Sequence, residues 1–317
     1  MKRFRALAVA AAVAVYGQIV IGAVVRITGS GLGCPDWPAC QGRIIPNFAD
    51  AQVTIEYIHR LVGTASGLLM VATAVTAVVM YLRLRDDGGM SFGLAAAAVV
   101  GVLLIAFQGV LGGITVLTGN TPFTVAIHLG NALLVLAAAA LVALWASRSL
   151  ADPTQPRPQP TPGSARALWA GALAAFVIVL SGAYVVGTSA GAACPSWPLC
   201  GAATRSSFTD VHMLHRIVVG LGSLAILWAA FVGLRRWRGA PMAAVVYLTV
   251  ALLAAEVAVG AFQAVLGLPS VLRAAHVALA SAVWTGVVLM AWAGWLETRA
   301  VRQLAPRQGR SLAGAES

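Results

Sequence analysis

Four of the five histidines in this chain occur at matching places in two pairs. The segments EYIHR and HMLHR place His59 and His215 near the start of long apolar runs. His128 and His276 lie near the start of two further apolar runs. Ionisable side chains in membrane-length segments cost free energy and usually serve a function. Their repetition therefore predicts ligands, although for any single histidine the alternative is a satisfied packing residue.

The histidine pairs indicate a particular metal chemistry. Two imidazoles that face each other across a helix bundle suit axial ligation of heme iron. Zinc requires four protein ligands, or three and a water, and copper or other iron centres need ligands that this sequence does not supply beside the histidines. We predict one bis-histidine site in each half of the chain, formed by His59 with His128 and by His215 with His276.

Only the first of these sites has an acid beside it in the sequence. Glu56 precedes His59 by three residues and so shares its helix face, whereas the matching residue of the second half is His212. A carboxylate there can move protons or stabilise a developing positive charge. The alternative is a helix-start glutamate favoured by the helix dipole. The first site is thus expected to do chemistry and the second to carry electrons.

Three further charged residues have two interpretations each. Arg60 and Arg216 directly follow the candidate ligands, where a guanidinium can pair with a heme propionate or simply reach the membrane interface. Glu256 lies near the middle of an apolar run. It is either a functional carboxylate or a neutral group that hydrogen bonds between helices.

All four cysteines belong to one seven-residue pattern that occurs twice, CPDWPAC (34–40) and CPSWPLC (194–200). Outside the cytoplasm each pair can close a small disulfide loop, Cys34–Cys40 and Cys194–Cys200. Zinc is the alternative, but it would favour CxxC spacing or nearby histidines. The prolines and the tryptophan of each loop would stiffen it and give it a face for the membrane interface.

The composition is that of an integral membrane protein. Hydrophobic residues make up 60% of the chain and charged residues 10%, where a soluble domain has about 25% charged residues. Eight apolar runs reach the length of about 20 residues that a membrane helix needs, and they are too long for barrel strands. We predict an all-α membrane protein with eight transmembrane helices, at 6–25, 55–82, 92–117, 123–147, 166–187, 210–234, 243–267 and 272–296.

The distribution of basic residues predicts the orientation. Fifteen of the 21 lysines and arginines fall on the side of the two termini and six on the other side, so both termini are expected in the cytoplasm of a plasma membrane protein. The net charge of +11 therefore does not indicate nucleic-acid binding. The first apolar run is longer than the 7–15 residues or so of a signal peptide core, which favours an uncleaved span.

Sequence similarity between the two halves of the chain predicts an internal repeat. Five residues recur at an offset of 160: Gly22, Val25, Thr28, Gly31 and Cys34. EYIHR is matched by HMLHR at an offset of 156, and FQGVLG by FQAVLG at 155. The offset of 155 pairs Gln108 with Gln263, and it pairs Gly101 with Glu256. We expect Gln108 and Gln263 each to form a hydrogen bond within the histidine site of its half. Four spans in each half make the repeats parallel, which predicts two pseudo-symmetric parallel four-helix bundles. The predicted parts are the two halves 1–150 and 166–300, a Pro-rich cytoplasmic linker at 151–165, and a cytoplasmic tail at 301–317.

Four segments together carry a family resemblance. VRITGSGLGCPDWPACQGRIIP, EYIHRLVG, HLGNA and VHMLHRIVVG resemble the heme A synthase family, over nearly the whole chain except the tails and the linker. The resemblance implies oxidation of the C8 methyl group of heme O to a formyl group, which gives heme A for terminal oxidases. It also implies a substrate heme at His59 and His128, a heme b cofactor at His215 and His276, catalysis by Glu56, a redox role for Cys34 and Cys40, and a structural role for Cys194 and Cys200.

The same resemblance implies partners, and two other functions compete with it. Heme O synthase and terminal oxidase assembly factors are the implied protein partners, in a lipid bilayer. The first alternative is a diheme b-type cytochrome that exchanges electrons with quinone. The second is a heme transporter, since transporters also contain parallel repeats. Glu56 opposite His212 favours the enzyme, because an electron carrier has no evident need for a one-sided acid.

Overall fold

The computed structural model describes residues 1–84, 91–148, 162–201 and 205–313. The described part contains eight long helices: α1 (Lys2–Ile27), α2 (Ala51–Leu84), α3 (Phe92–Leu117), α4 (Pro122–Arg148), α5 (Pro162–Gly187), α6 (Ser207–Trp237), α7 (Met242–Val265) and α8 (Ser270–Ala313). All eight are long and apolar enough to cross a membrane. The prediction of an all-α membrane protein with eight spans is confirmed.

The helix ends depart from the predicted ends in a few places. Helix α5 begins at Pro162 and α8 continues to Ala313, well beyond the expected end at 296. Most of the predicted linker, residues 151–161, and the end of the predicted tail lie outside the described residues. Helix α6 starts with a capping box, in which Ser206 and Thr209 each accept a hydrogen bond from the other's backbone N–H.

The helices pack as two neighbouring groups of four. In the first group α1 contacts α2, α2 contacts α3, α3 contacts α4, and α4 contacts α1, and helices α5 to α8 follow the same cycle. Helices α2 and α4 therefore lie diagonally opposite each other, as do α6 and α8. The groups meet where α4 contacts α5 and α8, and where α1 contacts α8. A pseudo-symmetry axis between the groups stays a prediction.

Hydrogen bonds reinforce the seam between α4 and α8. The indole N–H of Trp284 donates to the carbonyl of Leu133 at 2.9 Å, and that of Trp292 donates to the carbonyl of Ala137 at 3.1 Å. Tyr16 on α1 donates to the carbonyl of Ala278 at 2.9 Å. Lipid tails give little hydrophobic drive for helix association, so close packing and such interhelical bonds hold a membrane bundle together.

A buried carboxylate joins both groups at the other end of the seam from the histidines. Glu297 on α8 is 6% exposed and accepts hydrogen bonds from Arg148 at 2.9 Å, from Arg236 at 2.8 Å and from Trp237 at 3.0 Å. Its partners come from α4 and α6, so this acid links helices of both halves. From the sequence alone, the two arginines indicate only the orientation of the chain.

The Glu297 cluster predicts a large effect on stability. Glu297→Ala leaves two guanidinium groups without their carboxylate, and breaking a buried ion pair costs about 3–5 kcal/mol. Because Arg148 is partly exposed, we expect about 3 kcal/mol, the lower end of that range, measured as a lower free energy of unfolding in detergent. Arg205→Gln is the control, since its pair with Asp210 is exposed and contributes about 0–1 kcal/mol. Equal stability of the two variants would contradict the cluster's role.

Candidate functional site

The four candidate ligands occupy equivalent positions on the even-numbered helices. His59 and His215 both lie eight residues after the first residue of their helices, and His128 and His276 both lie six residues after it. Since the even helices all run in the same direction, the four imidazoles lie at one end of the molecule. Within each group the two histidines lie on helices that are diagonally opposite each other.

Each imidazole packs against a glycine of the preceding helix. A Cβ at Gly22 would lie 3.2 Å from Nε2 of His59, and one at Gly112 would lie 3.3 Å from Cε1 of His128. The second half repeats this arrangement, with Gly182 against His215 at 3.3 Å and Gly260 against His276 at 3.0 Å. The absence of a side chain at these four positions lets each ring lie directly on the neighbouring backbone.

Polar groups hold three of the four rings. In the second half the Ser181 hydroxyl lies 2.7 Å from Nδ1 of His215, and a carboxylate oxygen of Glu256 lies 2.9 Å from Nδ1 of His276. The Glu256 contact is close but is not well aligned for a hydrogen bond. The amide nitrogen of Gln108 lies 3.1–3.2 Å from both ring nitrogens of His128. The same amide donates to the His128 carbonyl.

The turns after α3 and α7 show which residues of the two halves are structurally equivalent. Gly119 and Gly267, 148 residues apart, both have positive φ, a conformation that favours glycine. Asn120 and Leu268 follow them, again with positive φ, and their N–H groups close the same turn onto Thr115 and Gln263. The offset of 148 also relates His128 to His276.

This offset corrects the equivalence predicted from FQGVLG and FQAVLG. The structural counterpart of Gln108 is Glu256, not Gln263, and both contact the histidine of the following helix. The offset of 155 from the sequence differs from the structural offset of 148 by seven residues, which is about two helical turns. Gln263 and Glu256 therefore lie on nearly the same face of α7. Gln108 does hydrogen bond to its histidine, whereas among the described residues no hydrogen bond is found for the side chain of Gln263.

Glu56 and Arg60 connect the first site to its cysteine loop. Glu56 is 5% exposed and accepts a hydrogen bond from Nε of Arg60 at 3.1 Å. The two Nη groups of Arg60 donate to the carbonyls of Cys34, Asp36 and Ala39 at 2.7–2.9 Å. One arginine thus binds both the buried acid and the loop above it. A propionate contact by Arg60 stays a prediction, and most of its donors already have partners.

The second half keeps the arginine and replaces the acid. Arg216 donates to the carbonyls of Cys194 and Pro198, each at 3.0 Å. The residue at the place of Glu56 is His212, which is 8% exposed. The asymmetry expected from the sequence is therefore buried and lies directly beside the candidate ligands. The propionate contact proposed for Arg216 also stays a prediction.

The cysteine pairs are joined as predicted. Cys34 and Cys40 have Cα atoms 4.6 Å apart and are bonded, as are Cys194 and Cys200 at 4.5 Å. In the first loop, the backbone N–H groups of Gly42 and Gln41 donate to the Asp36 carboxylate at 2.7 and 2.6 Å. These bonds hold the pKa of Asp36 below its usual range. In the second loop Ser196 bonds to the carbonyl of Leu199 instead.

Comparison with known proteins agrees with this geometry. Residues 5–288 match the family model COX15-CtaA, described as a cytochrome oxidase assembly protein. The chain belongs to the COX15-CtaA family. The matched residues include the four candidate ligands, both cysteine loops and Glu56, so the resemblance noted in the sequence extends through both halves of this COX15-CtaA protein.

Curated relatives of this COX15-CtaA protein carry one name. The heme A synthase of Alkalihalophilus pseudofirmus is 30% identical over 241 residues, which cover 75% of this chain and 78% of the relative. That of Shouchella clausii is 33% identical over 236 residues, covering 71% and 74%. That of Geobacillus kaustophilus is 29% identical over 237 residues, covering 71% and 70%.

The contact between histidine and glycine predicts a local steric effect on α3. Gly112→Val places a branched side chain against His128, and such overpacking costs about 1–3 kcal/mol. Gly109→Val is the matched control, because a Cβ at Gly109 meets nothing within 4 Å. We expect only Gly112→Val to lower the thermal unfolding temperature of the purified protein. The same loss in both variants would show that the substitution acts through the helix backbone instead.

Proposed function

We propose that this COX15-CtaA protein is a heme A synthase, which oxidises the C8 methyl group of heme O to a formyl group. The observation that carries the proposal is the pair of equivalent bis-histidine arrangements, only one of which has a buried carboxylate on the same helix face, Glu56. The names of the curated relatives support the same activity. The cell membrane, with both termini in the cytoplasm, is the proposed location.

The residues of both halves fit heme. Each candidate pair comes from diagonally opposite helices, near the same end of its group. In the second half, Ser181 bonds to Nδ1 of His215 and Glu256 lies beside Nδ1 of His276, which leaves Nε2 of both rings for iron. We assign His215 and His276 to a resident heme b and His59 and His128 to the substrate, heme O. A bound heme b would supply one-electron transfer.

Glu56 is the acid proposed to act on the substrate. It shares a helix face with His59, is buried, and is oriented by Arg60. A carboxylate in this position can accept a proton from the substrate or stabilise positive charge that develops on it. The same arginine also binds the carbonyls of Cys34 and Ala39, so the first cysteine loop is tied to the helix turn that carries the acid. Cys194 and Cys200 are proposed to be structural.

A diheme cytochrome that exchanges electrons with quinone is less well supported. It accounts for the two histidine pairs, but it gives no reason for the carboxylate of Glu56 in one half and the imidazole of His212 in the other. Heme O synthase and terminal oxidase assembly factors are the proposed partners, because they would supply the substrate and take the product.

Product analysis tests the proposed activity. Membranes that contain the protein and a supply of heme O should yield heme A on extraction. Glu56→Gln keeps an acceptor for Arg60 but removes the charge, so we expect heme binding to persist while heme A formation falls at least about 100-fold. Asp50→Asn, which changes an exposed acid before α2, is the control. Heme A formation at the wild-type rate in Glu56→Gln would rule out the proposed role of this acid.

Absorption spectra test the ligand assignment in the second half. His276→Ala should abolish the low-spin signal of the resident heme, because the iron loses one of its two axial ligands. His212→Ala is the matched control, since this histidine is buried in the same half but is not a proposed ligand. A low-spin spectrum that survives in His276→Ala, or that disappears in His212→Ala, would refute the assignment.

A further inference from the structure

Glu256 forms the one close contact between a carboxylate and a candidate ligand in the described part of the chain. Its Oε1 lies 2.9 Å from Nδ1 of His276, with 13% of the Glu256 side chain and 27% of the His276 side chain exposed. Its other oxygen, Oε2, is buried and has no hydrogen-bond partner. The one polar contact found for this carboxyl group among the described residues is therefore with the imidazole, close to Nδ1 but not aligned as a hydrogen bond.

The first half has the same arrangement without the charge. On α3, Gln108 and Gly112 are one turn apart and both contact His128, as Glu256 and Gly260 on α7 both contact His276. Gln108 is held by an amide of α4, since Asn131 donates to its oxygen at 2.7 Å. At the offset of 148, Leu279 replaces Asn131. The two sites therefore differ here by a carboxylate in place of a fixed, neutral amide.

We propose that Glu256 is a positioning residue that makes His276 a strongly donating, imidazolate-like ligand and so lowers the reduction potential of the heme in the second half. The proposal rests on the proposed function, which places heme b at His215 and His276. A carboxylate at Nδ1 fixes the ring and raises the basicity of a metal-bound histidine. Ferric heme carries one more positive charge than ferrous heme, so a buried negative charge stabilises the oxidised form.

Only one candidate ligand of the second site, His276, has a carboxylate beside its ring, so the proposed lowering of the reduction potential acts through this histidine. Ser181, the partner of His215, is a neutral hydroxyl at 2.7 Å and orients its ring without adding charge. Gln108, the partner of His128, is a neutral amide. Among these three ring partners, only Glu256 can carry a charge.

A redox titration of the full-length protein with its bound heme tests the proposal. Glu256→Gln keeps an oxygen that can accept from Nδ1 but removes the charge, so the midpoint potential of the second-half heme should shift to more positive values. Gln263→Ala is the control, because Gln263 is the sequence-aligned counterpart of Gln108 but forms no hydrogen bond to a histidine in the described part of the chain. We expect an unchanged potential in Gln263→Ala. A shift in that variant, or none in Glu256→Gln, overturns the proposal.

A second measurement needs no variant. The low-spin EPR signal of the wild-type heme should have its largest g value below that of bis-imidazole hemes with neutral ligands, because an imidazolate is the stronger donor. A largest g value equal to that of the neutral complexes overturns the proposal. This test uses only the wild-type protein, so it still decides the question if Glu256→Gln loses its heme.

The outcomes separate this proposal from the function on which it rests. If the heme binds through His276 and its potential is the same in wild type and Glu256→Gln, the tuning is refuted and the function stands. If the low-spin signal survives in His276→Ala, the ligand assignment itself fails, and the proposal fails with it for that distinct reason.

Discussion

The arrangement of the molecule depends on an imidazole lying against a bare helix backbone. Each of the four candidate ligands packs on a glycine of the preceding helix, and the four contacts fall at equivalent depths. A polar ring inside a membrane span must be positioned and satisfied by protein, because lipid offers it no partner. The glycines allow the close approach, and Ser181, Gln108 and Glu256 provide the polar contacts. The rest of the fold places these four pairs at one end of two neighbouring bundles.

The two halves share this arrangement of histidines and glycines, but they differ in the position of the acidic residue near the histidines. In the first half it is Glu56, on the helix of the first histidine, where it is held by Arg60. In the second half it is Glu256, on the helix that packs against the last histidine. Under the proposed function, one acid acts on the substrate and the other acts on a ligand of the resident heme. The two halves thus carry their acids at non-equivalent positions of a similar helix arrangement.

The sequence predicted the eight helices well, because apolar length reports directly on membrane spans. The repeated histidines do fall at equivalent places on the even-numbered helices, but their role as ligands stays a prediction. The sequence predicted the wrong counterpart of Gln108 in the second half. A shift of seven residues returns a helix to nearly the same face, so the sequence pattern alone could not distinguish Gln263 from Glu256. It missed Glu297 because the apolar run ends just before this residue, while its partners Arg148 and Arg236 come from distant helices. Pairings of this kind depend on the packing of helices, which periodicity does not specify.

The seam between α4 and α8 has a consequence for how the duplication can have evolved. Both indole donors, Trp284 and Trp292, belong to α8, and both acceptor carbonyls belong to α4. At the offset of 148, the residues of α4 that match these tryptophans are Leu136 and Leu144, whose side chains have no N–H or O–H group to donate. A dimer of identical ancestral repeats would have had the same side chains on both faces. The present junction is one-sided, because α8 supplies both indole donors and α4 both acceptor carbonyls, so the two faces of the seam are not interchangeable.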